Sequence, residues 1–256
     1  MFTGILILAL VIFITVISYR RQRLEEKLIK QIPVIDWFLM FASPIFFYVG
    51  LIMIVRNILS RHRVNILDFE ESQILGIGIF FMIYAIVGVS VHFVAKVLSR
   101  YIKRDRSSKV YQVNEIFHGK LSHYITFACS YMLVFTLALL EINYPLPQKL
   151  SGANFAVLTG VGILAGFSAF KGIFYTHQWI GGYNKPFYLI SLVFLIILVG
   201  IFKSDNLIIA YYPMNIFIVA GLFSVVCIYG VRRILFFSRL SRPRRIKIIS
   251  RLFSMP

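Results

Sequence analysis

The chain has 256 residues, of which 59% are apolar and 14% are charged, and its mean hydropathy is +0.82. Soluble domains are about half apolar and about a quarter charged, so this composition excludes a water-soluble globule. The net charge of +17 would raise the question of nucleic acid in a soluble protein, but here the basic residues stand in blocks at the ends of apolar runs. That placement is typical of membrane topology, and we expect no nucleic-acid partner.

Seven stretches are long and apolar enough to cross about 30 Å of hydrocarbon as helices. They run over Phe2 to Ser18, Ile35 to Val55, Ile74 to Leu98, Tyr124 to Ile142, Phe155 to Tyr175, Phe187 to Phe202 and Tyr212 to Val231. We therefore predict an all-α, polytopic membrane bundle with seven transmembrane helices. A six-helix bundle with one stretch lying flat is the alternative. The transmembrane domain would cover residues 1–231 and precede a basic tail over residues 232–256.

The basic residues predict how this bundle is oriented. With the N-terminus outside and the C-terminus inside, 22 of the 27 Lys and Arg residues fall on the inner side. The cluster Arg56, Arg61 and Arg63, which follows the second stretch, is the local exception. We expect the tail to lie on an anionic inner leaflet, where each basic residue contributes about 1 kcal/mol. The short loops fit a bacterial inner membrane.

Histidines are the residues that point to chemistry. Four of the five fall at the predicted inner face on three helices, namely His92, His118, His123 and His177. Imidazole is a ligand of zinc and iron, and a polar residue kept within a bilayer is a functional candidate because it is costly there. The sequence thus predicts a metal site, with zinc or iron bound by these four histidines.

Glu115 completes the predicted site, because it lies three residues before His118 and would share a helical face with it. We assign it the role of a general base that relays a proton from metal-bound water. His118 and His123 are separated by four residues that include Gly119, which we expect to break the helix between them. A turn there would still allow the two imidazoles to converge.

The first hypothesis is a zinc-dependent hydrolase that acts on a lipid or another membrane-embedded substrate. Its layout is similar to that of seven-helix hydrolases of the alkaline-ceramidase type, in which histidines hold zinc near one face of the bundle. That resemblance implies lipid amide substrates. The chain lacks both a Ser-x-x-x-His motif before an intramembrane Asp and a His-x-x-x-His motif in the last helix, so no residue roles are carried over.

Two other functions stay open. One is a membrane anchor for electron transfer that binds haem b between two axial histidines, as membrane cytochrome b subunits do, with Gly88 leaving room for a porphyrin edge. The other is a non-enzymatic scaffold or transport component that docks membrane or peripheral protein subunits through its basic inner surface. The sequence alone does not choose between them.

A few further residues carry structural expectations. Gly160, Gly162 and Gly166 include a G-x-x-x-G spacing that lets another helix approach closely, and we extend that interpretation to Gly76 and Gly78. Glu141, near the end of the fourth stretch, is expected to lie at the membrane interface. Asp36 would either cap the second helix or orient one of the histidines.

Overall fold

A computed structural model describes residues 1–18, 27–29, 32–102, 107–180, 184–241 and 243. Within its helices, the side chains at 15–18, 100, 120, 172–180, 184 and 185 lie outside that description. The helices of the described chain are α1 (Phe2–Ser18), α2 (Val34–Leu59), α3 (Glu71–Tyr101), α4 (Lys109–Ile142), α5 (Gly152–Ile180), α6 (Asn184–Ser204) and α7 (Pro213–Ser238). Two short antiparallel strands, β1 (Leu28–Ile29) and β2 (Ile32–Pro33), precede α2, and a 3-10 turn (Ile209–Tyr211) precedes α7.

The predicted all-α, multi-pass architecture is confirmed. Within the described chain, the six helices α2 to α7 are long and apolar enough to cross a membrane. The first predicted stretch forms α1, a helix of 17 residues that is about 25 Å long. Its side chains Ile5 and Leu8 are buried in the bundle core, so α1 packs as a member of the bundle. The seven-span topology and its orientation remain predictions.

Small residues bring helix backbones together in two places. At Gly4, an added Cβ would lie 2.9 Å from the carbonyl oxygen of Gly50, which joins α1 to α2. At Gly162, an added Cβ would lie 2.5 Å from the carbonyl oxygen of Phe217, which joins α5 to α7. The predicted role of the G-x-x-x-G spacing is therefore confirmed. The same expectation is wrong for Gly76 and Gly160, because nothing lies within 4 Å of either Cβ position.

Helices α3 and α4 form an antiparallel pair that carries most of the predicted site. Gly78 lies beside Leu133, whereas Gly88 lies beside Thr126 and Ser122, so α4 runs backward along α3. Both α2 and α4 contain a segment of π-helix, over Phe38–Ala42 and Ile116–Leu121 respectively. In a π-helix the backbone bonds run from residue i to i+5, and such segments are frequent at functional sites.

Candidate functional site

The π-helical segment of α4 determines where two of the histidines point. The expected helix break at Gly119 is wrong, because the chain stays helical and the backbone N–H of Ser122 donates to the carbonyl of Phe117, five residues earlier. This wider turn brings residues five apart toward one face. The rings of His118 and His123 consequently lie with their centroids 6.2 Å apart.

His92 reaches the same place from α3. Its ring centroid lies 4.7 Å from that of His118 and 4.7 Å from that of His123. Its Nδ1 lies 3.4 Å from the carbonyl oxygen of His118, and Nδ1 of His123 lies 2.8 Å from the carbonyl oxygen of Gly119. A carbonyl oxygen only accepts, so Nδ1 of each imidazole is the donor in these two contacts.

Ser122 supports this arrangement from the next turn of α4. Its hydroxyl donates to the carbonyl oxygen of His118 over 2.6 Å. The carbonyls of His118 and Gly119, which lie in the π-helical segment, therefore receive side-chain hydrogen bonds. Buried backbone carbonyls that lack partners are costly in a membrane, so the π segment and its side-chain donors stabilise one another.

Of the other two predicted site residues, only Glu115 has a described side chain, and it does not join this contact. Glu115 ends the first α-helical part of α4 and is half-buried, and within the described chain its carboxylate makes no hydrogen bond or ion pair. His177 lies in the last turns of α5, and its side chain falls outside the described residues. In the described part of the chain, no three His, Cys, Asp or Glu side chains are grouped so that they could hold a metal ion.

The space expected for a haem beside Gly88 is filled. A Cβ added at Gly88 would lie 2.8 Å from the backbone nitrogen of Thr126 and 3.1 Å from the carbonyl oxygen of Ser122. The expectation that this glycine leaves room for a porphyrin edge is therefore wrong. Its lack of a side chain serves the close packing of α3 against α4 instead.

A cavity of about 340 Å³ lies in the middle of the bundle, and His92 and His123 stand at one of its ends. All seven helices contribute to its walls, including Leu8 of α1, Phe194 of α6 and Val225 of α7. This volume is within the range of about 300–1,000 Å³ that is usual for ligand pockets. The described residues of its walls include no Lys, Arg, Asp or Glu.

Few residues of the described wall are polar, and most of these lie on α4. Besides the two histidines, they are Ser43, Thr126, Ser130 and two tyrosines. From His123 to Phe135 the wall follows α4 for 12 residues, which corresponds to about 18 Å of helix. The hydrocarbon of one leaflet is about 15 Å thick, half of the bilayer core. The cavity thus has the length of one lipid chain.

The opposite end of the bundle is closed by a buried ion pair that the sequence analysis did not find. Nη1 of Arg61 lies 3.1 Å from Oε1 of Glu141, and the two side chains are 5% and 0% exposed. Oε2 of Glu141 accepts hydrogen bonds from the backbone N–H of Asn215 (2.9 Å) and from its side-chain amide (3.1 Å). Glu141 thus lies at the end of α4 but is buried among protein partners, and its position at the membrane interface stays a prediction.

A second, more exposed pair lies beside it. Arg63 contacts Glu71 at 3.4 Å and also donates to the carbonyl oxygen of Phe69 at 2.7 Å. The hydroxyl of Tyr144 donates to the same carboxylate of Glu71, and burial, together with this contact, raises the pKa of Tyr144 to about 12. Two basic residues that depart from the positive-inside pattern thus face carboxylates. The predicted topology puts these basic residues and both carboxylates at the same face of the bundle. That placement is the signal in the sequence from which the pairs could have been predicted.

Asp36 pairs with a lysine rather than with the helix end. Its Oδ1 lies 2.5 Å from Nζ of Lys96, and its side chain is only 3% exposed. Asp36 lies in the first turn of α2, as expected of an acidic residue near a helix start, while the N-cap residue, Pro33, makes no side-chain cap. Lys96 follows His92 by one turn of α3 and places this ion pair at the histidine end of the bundle.

Comparison with known proteins gives no match to a protein-family model, to a curated protein or to a solved structure. The composition and the long apolar helices of the described chain identify it as a multi-pass integral membrane protein.

Proposed function

We propose that the protein holds a lipid or another membrane-embedded amphiphile inside its helical bundle. The apolar chain of that molecule would lie along the cavity, with its polar end against His92 and His123. The observation that carries this proposal is the uneven wall of the cavity, which has imidazoles at one end and mostly apolar side chains elsewhere. In the predicted orientation, the polar end of the ligand faces the inner leaflet.

The physical basis of such binding differs from that of a soluble pocket. An apolar chain gains little hydrophobic free energy by moving from a bilayer into an apolar cavity, because both surroundings are hydrocarbon. Retention then depends on packing and on hydrogen bonds at the polar end, which are electrostatically stronger where water is scarce. The imidazoles of His92 and His123 are the groups that supply such bonds.

Photolabelling of the full chain in liposomes tests this proposal. The probes are a long-chain alcohol and a phosphatidylglycerol, each with a diazirine in its apolar chain. Phe194 and Ile218 line the cavity and are buried, at 9% and 4% exposure, so the surrounding bilayer does not reach them. We expect one or both probes to label these residues in the native protein.

A variant that fills the cavity provides the comparison. Ser130→Phe adds an aromatic ring to the wall on α4, and we expect it to lose most of the labelling at Phe194 and Ile218. Ser90→Phe is the matched control, because Ser90 lies on α3 outside the cavity wall and its labelling pattern should stay native. Absence of label at both interior residues of the native protein, with surface residues labelled, would contradict the proposal.

A metal-dependent lipid hydrolase is a second candidate, and the imidazole hydrogen bonds favour it. Histidines that bind metals commonly donate their other ring N–H to a carbonyl, as Nδ1 of His92 and of His123 do here. In this function the four predicted histidines would hold zinc or iron, and the bound metal would supply an activated water. Glu115 would act as the predicted general base for that water.

Element analysis with an optical spectrum of purified protein tests the second candidate. We expect stoichiometric zinc or iron in the native protein, its loss in His92→Ala and its retention in His62→Ala. His62 is an exposed control on the loop after α2. A Soret band would indicate haem instead. If neither metal nor haem is found, the hydrolase is excluded while binding of an amphiphile in the cavity is still tested by photolabelling.

A further inference from the structure

We infer that the bound molecule is a single-chain amphiphile with a small, uncharged head group, and that it enters sideways from the bilayer through a gap between α2 and α3. This inference rests on the proposed function and names the ligand class for the same cavity. Three features of the structure carry it: the exposure of the cavity wall, the contacts that bound the gap, and the absence of charge on the described walls.

The first feature is where the cavity wall meets the outside of the bundle. Among the described residues of the wall, Tyr48 of α2 and Ile86 of α3 are exposed, at 48% and 46%. The remaining described wall residues are buried or half-buried. Since a side chain that lines a cavity and also faces the surroundings marks an opening, the gap lies between these two helices.

The depth of this opening is within hydrocarbon. Ile86 precedes His92 by six residues, which places it about 9 Å along α3 from the imidazoles toward the middle of the bundle. The helix segments on either side of the gap lie inside candidate membrane spans. A molecule that passes between Tyr48 and Ile86 therefore comes from the apolar part of the bilayer.

The second feature is the contact that closes the gap at the histidine end. There α2 and α3 are joined by the ion pair of Asp36 with Lys96 and by ring contacts of Trp37 and Phe41 with Phe93, at centroid distances of 6.3 and 6.4 Å. These contacts separate the gap from the membrane interface. A head group must consequently pass through the hydrocarbon level to reach His92.

The third feature concerns the charge of that head group. Moving a charged or zwitterionic group through hydrocarbon is strongly unfavourable, and the described cavity walls offer it no opposite charge on arrival. Asp36 and Lys96 already pair with each other outside the wall. Imidazole nitrogens and the hydroxyls of Thr126 and Ser130 match a neutral head group that donates and accepts hydrogen bonds. A long-chain alcohol or amide has this chemistry, and the cavity volume fits one chain.

Photolabelling in liposomes of phosphatidylethanolamine and phosphatidylglycerol tests the ligand class. We expect the diazirine alcohol to label the interior residues Phe194 and Ile218. The diazirine phosphatidylglycerol should label only bilayer-facing residues such as Ile45, which is 60% exposed. Interior labelling by the phospholipid and not by the alcohol would overturn the inferred class while leaving the proposed function standing. Interior labelling by neither probe would overturn both.

Blocking the gap tests the route. Ile86→Trp should lose most of the interior labelling by the alcohol, because the indole occupies the opening. Ile77→Trp is the matched control: Ile77 is 47% exposed and lies nine residues earlier on α3, on the opposite face of the helix. Its interior labelling should equal that of the native protein.

A second pair of variants tests the α2 side of the gap, so that the route can still be tested if Ile86→Trp fails to fold. Tyr48→Trp should also reduce interior labelling, whereas Tyr84→Trp, at an equally exposed tyrosine outside the wall, should not. Native interior labelling in folded Ile86→Trp and Tyr48→Trp proteins would overturn the lateral route. That result would leave the proposed binding in the cavity intact.

Discussion

The ion-pair end and the histidine end of the bundle bury polar side chains for different purposes. At the first, Glu141 accepts hydrogen bonds from Arg61 and Asn215, and all three side chains are almost completely buried. At the second, the imidazoles of His92 and His123 are half-buried and border the cavity. Buried polar groups that bond only to other protein groups hold helices together, whereas polar side chains that also line a cavity can contact a ligand there.

The two ends are separated by about 35 Å along α4, from His118 to Glu141, which is close to the thickness of the bilayer hydrocarbon. Changes at the ion-pair end should therefore affect stability, and changes at the histidine end should affect ligand binding with little loss of stability. The following variants test this division.

The largest loss of stability is expected for Glu141→Ala. It leaves Arg61 buried without its counter-charge, and the free energy of unfolding should fall by about 3–5 kcal/mol. Thermal unfolding in mild detergent measures the change. Glu115→Ala is the matched control, because that carboxylate has no partner in the described chain, and its effect should stay within about 0.5 kcal/mol.

A double variant sharpens this prediction. Replacing both charges, as in Arg61→Met with Glu141→Leu, removes the unpaired charge and should recover part of the loss seen in Glu141→Ala. If Glu141→Ala unfolds at the same temperature as the native protein, the buried ion pair does not stabilise this end, and the comparison between the two ends fails.

An intermediate effect is expected where α5 packs on α7. A Cβ at Gly166 would lie 2.9 Å from the Cα of Gly221, so Gly166→Ala should destabilise the bundle by about 1–3 kcal/mol through overpacking. Gly160→Ala, on the same helix, meets nothing within 4 Å and should be neutral or stabilising by up to about 1 kcal/mol. Equal unfolding temperatures of the two variants would show that the contact at Gly166 is absent.

The smallest effect on stability is expected at the histidine end. His123→Phe keeps the stacking on Phe127, whose ring centroid lies 6.0 Å away, and removes the hydrogen bond to Gly119. Its cost should be about 1 kcal/mol, the usual net value of one hydrogen bond. Interior photolabelling by the alcohol probe should nevertheless be lost. A variant that is strongly destabilised but still labels in the interior would reverse the roles assigned to the two ends.

Hydropathy was sufficient to predict the helices because lipid-facing and core-facing side chains are both apolar. It was less informative about their ends. The fourth stretch was predicted to begin at Tyr124, yet α4 begins at Lys109, and α7 continues past Val231 to Ser238. Backbone hydrogen bonds carry a helix beyond the hydrocarbon, so helix length and apolar length differ.

The candidate site was predicted in part. Antiparallel topology was enough to bring His92, His118 and His123 to one end of the bundle. Their mutual geometry depends on the π-helical segment, which places His118 and His123 near one face of α4. The residue types around Gly119 do not predict a π-helix, so the sequence did not predict this geometry. The cavity depends on the packing of all seven helices, so no local pattern predicts it.

The ion pair of Arg61 with Glu141 escaped sequence analysis for a similar reason. The two residues are 80 positions apart, and each was interpreted alone, one as an exception to charge bias and the other as an interfacial acid. Considering both at the same predicted face would have suggested their pairing. To predict which distant charges pair, one must know which helices are neighbours in space, and a single sequence does not supply this.

The central claim is that the cavity holds one amphiphile with its polar end at the imidazoles. The most direct measurement is a crystal structure of the full chain grown from a lipidic phase that contains a long-chain alcohol. We predict continuous, elongated density that begins within hydrogen-bond distance of His92 or His123 and runs along α4 toward Phe135. A cavity closed by its own side chains, or occupied by separate waters instead of a chain, would contradict the account.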